Sequence, residues 1–248
     1  MTTPEHPSAE VYRSKLSDPY SSHRRILALT RSLPSVHRVL DVGCGPGFIG
    51  SALAGLGYLV VGIDSHADTN SLRSAGYVEA FRLDIEQEPI PLQDGFDLLI
   101  FADVLEHLRD PEGVLARFRT LLAPGGHVLL SVPNVAHWTV RLALLAGYFP
   151  SCDRGILDRT HIRFFTLTSA CQMVRRAEFS IRHTEVTPVP LPLIWPATAE
   201  GRPLTWLQHM NGMLTRLWKC GLGYQILILA DCTGPNATAY SNERSSRD

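Results

Sequence analysis

A surplus of charge of either sign is the first thing this chain lacks. Its 23 Lys and Arg nearly balance 24 Asp and Glu, for a formal net charge of -1. The broad basic footprint that drives binding to a phosphate backbone is missing, so nucleic acid is not an expected partner. Long apolar runs are missing too. None approaches the roughly 18–20 residues of a membrane span. Residues 1–10 are polar and carry no apolar h-region, which speaks against a secretory signal. Cysteine is scarce and unpaired: the chain has 5, an odd number, with no CxxC spacing. That argues against a disulfide framework and for reduced thiols in a cytoplasmic protein. No internal repeat is visible. What remains is a composition of 45% hydrophobic and 19% charged residues over 248 positions. This suits one α/β domain with a sizeable core.

What is present centres on Val39-Leu40-Asp41-Val42-Gly43-Cys44-Gly45-Pro46-Gly47. An apolar run meets an acid, and glycines follow at alternate positions. A buried parallel strand ends this way when the chain turns tightly into a helix beside a bound nucleoside. A second strand, Tyr58 to Ile63, again closes on an acid, Asp64, which lies 21 positions after Gly43. At a separation of about 20 a carboxylate reaches the ribose hydroxyls in nucleoside-binding βαβ units. A short third strand, Val78 to Leu83, leads to Asp84-Ile85, an acid and an apolar residue that suit an exocyclic amine and a purine face.

The spacing predicts a helix over 21–32, strand one over 37–42 and a helix over 48–55. Strand four is expected over 96–101, followed by Ala102-Asp103-Val104-Leu105-Glu106-His107. Asp110-Pro111 then opens a helix running through Leu122, which Pro124-Gly125-Gly126 breaks before strand five at 127–132. The alternation βαβαβαβαβ predicts a parallel sheet with right-handed crossovers. Further helices are expected at 138–149, from a Thr168 cap to 177, and at 205–219, with strands at 179–186 and 224–230. The helix at 205–219 is read as facing substrate, as a homodimer contact, or as simple packing. The expected organisation is a disordered or partly helical segment (1–20), the α/β domain (21–232) with a Pro-rich lid and helix insertion (188–220), and a disordered tail (233–248).

Taken together, these motifs resemble the class I S-adenosylmethionine-dependent methyltransferases. The loop at 40–47 is similar to their first motif, and Asp64, Asp84-Ile85 and Leu121-Leu122-Ala123-Pro124-Gly125-Gly126 to their later ones. Residues 155–166 resemble a bacterial subgroup that methylates small metabolites, sugars or lipid-linked intermediates. The resemblance implies a Rossmann-like seven-stranded sheet of order 3-2-1-4-5-7-6 with strand seven antiparallel and helices on both faces. It implies S-adenosyl-L-methionine as cofactor. Asp41 would hold the methionine amino group above Gly43, Gly45 and Gly47. Asp64 would take the ribose, Asp84 the adenine amine and Ile85 its face, with Ala102 and Asp103 lining the pocket floor.

Methyl transfer to a hydroxyl requires a proton to leave, which a base assists. His161, in the loop beyond strand five, is the first candidate and His107 the second, since an ordinary imidazole suits the task. The less favoured variant is a divalent ion at Asp103, Glu106 and His107 with His161, similar to a pattern in ubiquinone-pathway O-methyltransferases. Arg154, Arg159 and Arg163 hint at an anionic substrate group or at a salt-bridged loop. The expected activity is methyl transfer to a small molecule, sugar or lipid-linked intermediate. The alternatives are a nicotinamide-dependent reductase and a noncatalytic cofactor-binding protein. Against the reductase, Pro46 removes one backbone donor from a loop that reads G-x-G-x-G.

Overall fold

The structure, a computed structural model, describes residues 18–190 and 202–232. The expected N-terminal and C-terminal tails and most of the Pro-rich stretch lie outside the described residues. In chain order the elements are α1 (Ser22–Arg31), β1 (Arg38–Val42), α2 (Phe48–Ala54), β2 (Leu59–Asp64), α3 (Thr69–Ser74), β3 (Glu79–Arg82) and β4 (Phe96–Ala102). There follow α4 (Pro111–Arg119), β5 (Leu122–Pro133), α5 (Trp138–Leu145), α6 (Leu167–Arg176), β6 (Phe179–Thr187), α7 (Arg202–Leu217), α8 (Lys219–Leu222) and β7 (Gln225–Cys232).

The seven strands lie in the order β3-β2-β1-β4-β5-β7-β6. Pairs from β3 through β5 are parallel, and β7 runs antiparallel between β5 and β6. This is the expected class I sheet. Strand periodicity divides the core. Leu40, Leu99 and Phe101 face one layer with Leu115 and Phe118 of α4 and Val174 of α6. Val39, Leu98 and Ile100 face the other with Ile26 of α1, Leu53 of α2 and Leu72 of α3. Successive strand residues point to opposite faces, so each central strand is apolar throughout.

Helix starts follow side-chain caps. Asp110 accepts from the Gly113 N–H at 2.9 Å with Pro111 at the first position of α4. Asp68 caps α3, a helix the sequence reading did not delimit. Thr166 rather than Thr168 caps α6, through a capping box with Ser169. Other boundaries move for identifiable reasons. The helix after β4 stops at Arg119 because Leu122 already pairs with Phe96. Pro124-Gly125-Gly126 therefore lies inside β5, where the register shifts between Phe96 and Leu98, and a bulge tolerates Pro. His107 does not start a long helix: it ends a 3-10 turn, Leu105–His107, and α4 begins at Pro111. The helix from Trp138 ends at Leu145, with Gly147 at φ +73. Its large apolar residues are exposed apart from Val140.

One packing arrangement shapes the site. The Tyr77 ring fills space vacated by three glycines. A Cβ on Gly50 would overlap the Tyr77 hydroxyl, and one on Gly62 would lie 2.8 Å from Tyr77 Cε1. On Gly47 it would lie 2.9 Å from Tyr77 Cε2. Gly50→Ala is expected to destabilise the protein by about 1–3 kcal/mol, the usual cost of overpacking. Chemical denaturation checks this, and an unchanged midpoint would show that Tyr77 relocates freely.

Candidate active site

The candidate residues gather beyond the carboxyl ends of β1, β2 and β4, where open α/β sheets bind ligands. After β1 the chain is pinned to β2: the N–H groups of Gly43 and Cys44 both donate to the Ile63 carbonyl, at 2.7 and 3.1 Å. A Cβ at Gly43 would overlap Val104, so that glycine serves packing. Gly45 differs. It has φ +50, and a Cβ there would meet nothing within 4 Å. Its N–H donates to Asp64 Oδ2 at 2.9 Å. Side-chain-free backbone thus faces open space beside a carboxylate.

Asp64 has one oxygen on Gly45 and the other, Oδ1, on the His66 N–H at 2.7 Å. Asp84 Oδ1 accepts from the Glu86 N–H at 2.9 Å, and the buried Ile85 offers its carbonyl to Arg117. Asp41 is placed differently from Asp64. Its carboxylate is buried, and Oδ2 accepts from the Tyr77 hydroxyl at 2.7 Å. Burial pushes Asp41 up to about 6, opposed by the Tyr77 and Gly50 hydrogen bonds and assisted by the nearby Asp64 charge. Burial first, and then the Asp41 charge, hold Tyr77 above its ordinary value, so Tyr77 remains a donor.

At the end of β4, Ala102 is half-buried and Asp103 adopts φ +58. Left-handed backbone is uncommon for a residue with a Cβ, although Asp tolerates it better than most. Asp103 Oδ1 accepts from Ser131 Oγ at 2.6 Å and from the Gln225 amide. Asp103, bound this way, does not join the neighbouring cluster of Glu106, His107 and His161. In that cluster the ligand-capable atoms all lie within 4.8 Å of one another. Glu106 is buried with both carboxylate oxygens unpartnered. Burial first, and then the Asp103 charge, raise its pKa well above the ordinary value.

His161 Nδ1 lies 3.1 Å from the Ile156 carbonyl. A carbonyl only accepts, so Nδ1 carries the proton and Nε2 is the free lone pair. Nε2 lies 4.0 Å from Glu106 Oε1. Desolvation lowers the His161 pKa, against the Ile156 bond, which raises it. His107 Nδ1 similarly meets the Thr160 carbonyl at 3.1 Å, and the two imidazoles lie edge to face, 4.8 Å apart. His107 also lines a cavity of about 600 Å³ with Glu86, Gln87, Arg109 and Ile162. Of the loop arginines, Arg159 pairs with Asp153 and Arg163 donates to the Arg109 carbonyl.

Sequence reasoning missed Tyr77, Ser131 and Gln225. Each touches its acid across 28 or more positions, so no local spacing marks it. Glu106 was visible, since it stands beside His107.

Comparison with known proteins bears on this geometry. A family model described as a methyltransferase domain matches residues 12–184. Among curated proteins, the chain is 28% identical over 153 residues to the ubiquinone biosynthesis O-methyltransferase of Aeromonas salmonicida, covering 58% of this chain. It is 31% identical over 160 residues, 59% of this chain, to the protein of the same name from Albidiferax ferrireducens. The chain spans 63% and 61% of those relatives' own lengths. Among solved structures, the S-adenosylmethionine-dependent methyltransferase from Mesorhizobium loti matches with a TM-score of 0.53 at 21% identity, over 83% of this chain and 96% of that one. Magnesium protoporphyrin IX methyltransferase from Synechocystis, with bound SAH, matches with a TM-score of 0.58 at 16% identity, over 92% and 90%.

The buried acid below the loop carries a pH signature. The folded Asp41 pKa of about 6 lies above the ordinary 3.8. Folded protein therefore binds the proton more tightly, and that stabilisation is lost as pH rises through the folded value. At about 1.4 kcal/mol per unit, the wild type should lose about 2 kcal/mol relative to Asp41→Asn between about pH 4 and about pH 6. Denaturation of both proteins across that range checks it, and parallel curves would show that Asp41 titrates normally.

Proposed function

The chain belongs to the methyltransferase-domain family, and on that premise we propose that it transfers the methyl group of S-adenosylmethionine to a hydroxyl oxygen of a small molecule. The observation that carries the reading is the pairing of Gly45 with Asp64 beside open space. A nucleoside ribose requires a carboxylate acceptor and backbone free of side chains, and this pairing offers both. The names of the relatives, ubiquinone biosynthesis O-methyltransferases, support oxygen as the acceptor atom. Family membership favours transfer over nicotinamide-dependent reduction.

The bound cofactor supplies an electrophilic methyl on a sulfonium. The chain orients it and removes a proton from the acceptor. Asp64 accepts from the ribose hydroxyls with lone pairs not used by Gly45 and His66. Asp84 and Ile85 meet the adenine, and Ala102 and Asp103 line the floor beneath the methyl donor. Asp41 acts from below, fixing the loop through Tyr77, while the glycine backbone frames the methionine moiety. His161 accepts the acceptor's proton at Nε2, because Nδ1–H is committed to Ile156. Its lowered pKa keeps it neutral and available near pH 7. His107 flanks it as a second candidate.

A second reading rests on the orphaned oxygens of Glu106. Glu106, His107 and His161 would hold a divalent ion, which would act as a Lewis acid on the acceptor oxygen. Buried carboxylate oxygens without partners are rare, and an ion satisfies them.

His161→Ala is expected to lower kcat by about 10²–10⁴-fold, with adenosylhomocysteine affinity by calorimetry within about twofold of wild type. Undiminished turnover would remove His161 from the chemistry. Asp64→Ala is expected to weaken adenosylhomocysteine binding by about 10–150-fold, as for a lost charge-assisted hydrogen bond. Chelation separates the two readings. Unchanged turnover selects His161 as an unassisted base, and loss of turnover restored by added magnesium or zinc selects the ion.

A further inference from the structure

We propose that α5 and α7 form an interfacial docking surface for an anionic lipid bilayer. The first observation is a pair of apolar faces left exposed among the described residues. On α5, Trp138, Leu142 and Leu145 recur at positions i, i+4 and i+7, one stripe of a helix. All three are exposed, Leu145 at 84%. On α7, Trp206 and Leu217 fall on one stripe, with Trp218 just beyond its end, and Leu217 is 82% exposed. Lone exposed apolar residues are ordinary, but stripes on two helices are not.

The second observation is which aromatics these are. All the tryptophans among the described residues, Trp138, Trp206 and Trp218, stand here, exposed at 42, 63 and 51%. Indole combines an apolar body with a polar N–H, the combination that partitions to the headgroup region. The third observation is charge. The segment 138–149 holds Arg141 and no acid, and 206–219 holds Arg216 and Lys219 and no acid, in a chain with 24 acidic residues. Apolar stripes with cations alone match an anionic bilayer. They do not match a two-fold pairing of identical chains, because each cation would approach cations on the other copy with no acid to meet. Among the described residues no helix is long and apolar enough to cross a membrane, so the surface lies on the bilayer.

The two segments leave from one place. Pro133 at the end of β5 pairs with Gln225 at the start of β7, and Asn134 Nδ2 donates to the Cys220 and Gly223 carbonyls, at 3.2 and 2.7 Å. That end of the sheet also carries the glycine loop and Asp103. Docking there would present a hydroxyl on a lipid-borne acceptor to the site, a substrate class that rests on the methyltransferase reading above.

Co-sedimentation of the full chain with vesicles tests the docking itself. Vesicles of phosphatidylcholine with phosphatidylglycerol should bring the protein down, less so at high salt, and pure phosphatidylcholine should do so weakly. Leu142→Glu/Leu145→Glu and, separately, Leu217→Glu should each reduce partitioning by about tenfold or more, with circular dichroism and adenosylhomocysteine affinity unchanged. Absence of co-sedimentation with either vesicle, partitioning unaltered by these substitutions, or a dimer that the same substitutions dissociate would each overturn the proposal. Docking without adenosylhomocysteine binding would leave the surface standing and remove the cofactor assignment.

Discussion

The hydrogen bond from Tyr77 to the buried carboxylate of Asp41 is the constraint on which the site depends. A carboxylate removed from water needs a donor, and Tyr77 supplies one from 36 positions away. To reach it, the Tyr77 ring must pass through space that side chains at Gly47, Gly50 and Gly62 would occupy. The acid, the phenol and these glycines are therefore one unit. It ties β1, β2 and the start of α2 together beneath the loop and leaves Gly45 alone facing open space.

Glu106 does comparable work at the end of β4. Its backbone carbonyl accepts the N–H groups of Ile162 and Arg163, both at 2.9 Å. The segment bearing His161 is thereby fastened to the turn bearing His107. The carboxylate of the same residue stays buried and unpartnered, facing His161 Nε2. One residue thus sets where the loop lies and what its imidazole faces. Arg163 and Arg159, which the sequence offers as anion hooks, spend their donors on the Arg109 carbonyl and Asp153. They read more naturally as loop fasteners than as a substrate clamp.

The central strands and the placement of Asp41, Asp64 and Asp103 at strand ends were legible because local pattern determines them: an apolar run that meets an acid, with glycine following in the case of Asp41. Sheet order came from resemblance rather than from periodicity. Two kinds of information were not legible. Partners across long separations carry no local mark, which is why Ser131 and Gln225, the residues holding Asp103, were invisible. Apolar spacing, moreover, says that a face exists and not what covers it. Residues 138–149 read as one helix with an apolar face, yet the helix stops at Leu145 and that stripe stays exposed. Gly47 is the mixed case. Alternate-glycine spacing suggested ligand approach, whereas its missing Cβ accommodates Leu72 and Tyr77.

Asp41 and Glu106 are expensive placements. Each is a carboxyl group in an interior otherwise dominated by Val, Leu, Ile and Phe, and each resists ionisation there. A chain shaped for stability alone would replace both with apolar residues of similar volume. Their cost is offset by the sheet between them, where β1 and β4 are buried on both faces and Phe118 packs edge to face on Phe101 at 5.5 Å. The two acids lie at the ends of those same strands, Asp41 in β1 and Glu106 in the turn after β4. Local choices that oppose stability concentrate where a protein does its chemistry. By that criterion the ends of β1 and β4 both belong to the candidate site, with the loop tied down through Asp41 at one and an imidazole faced by Glu106 at the other.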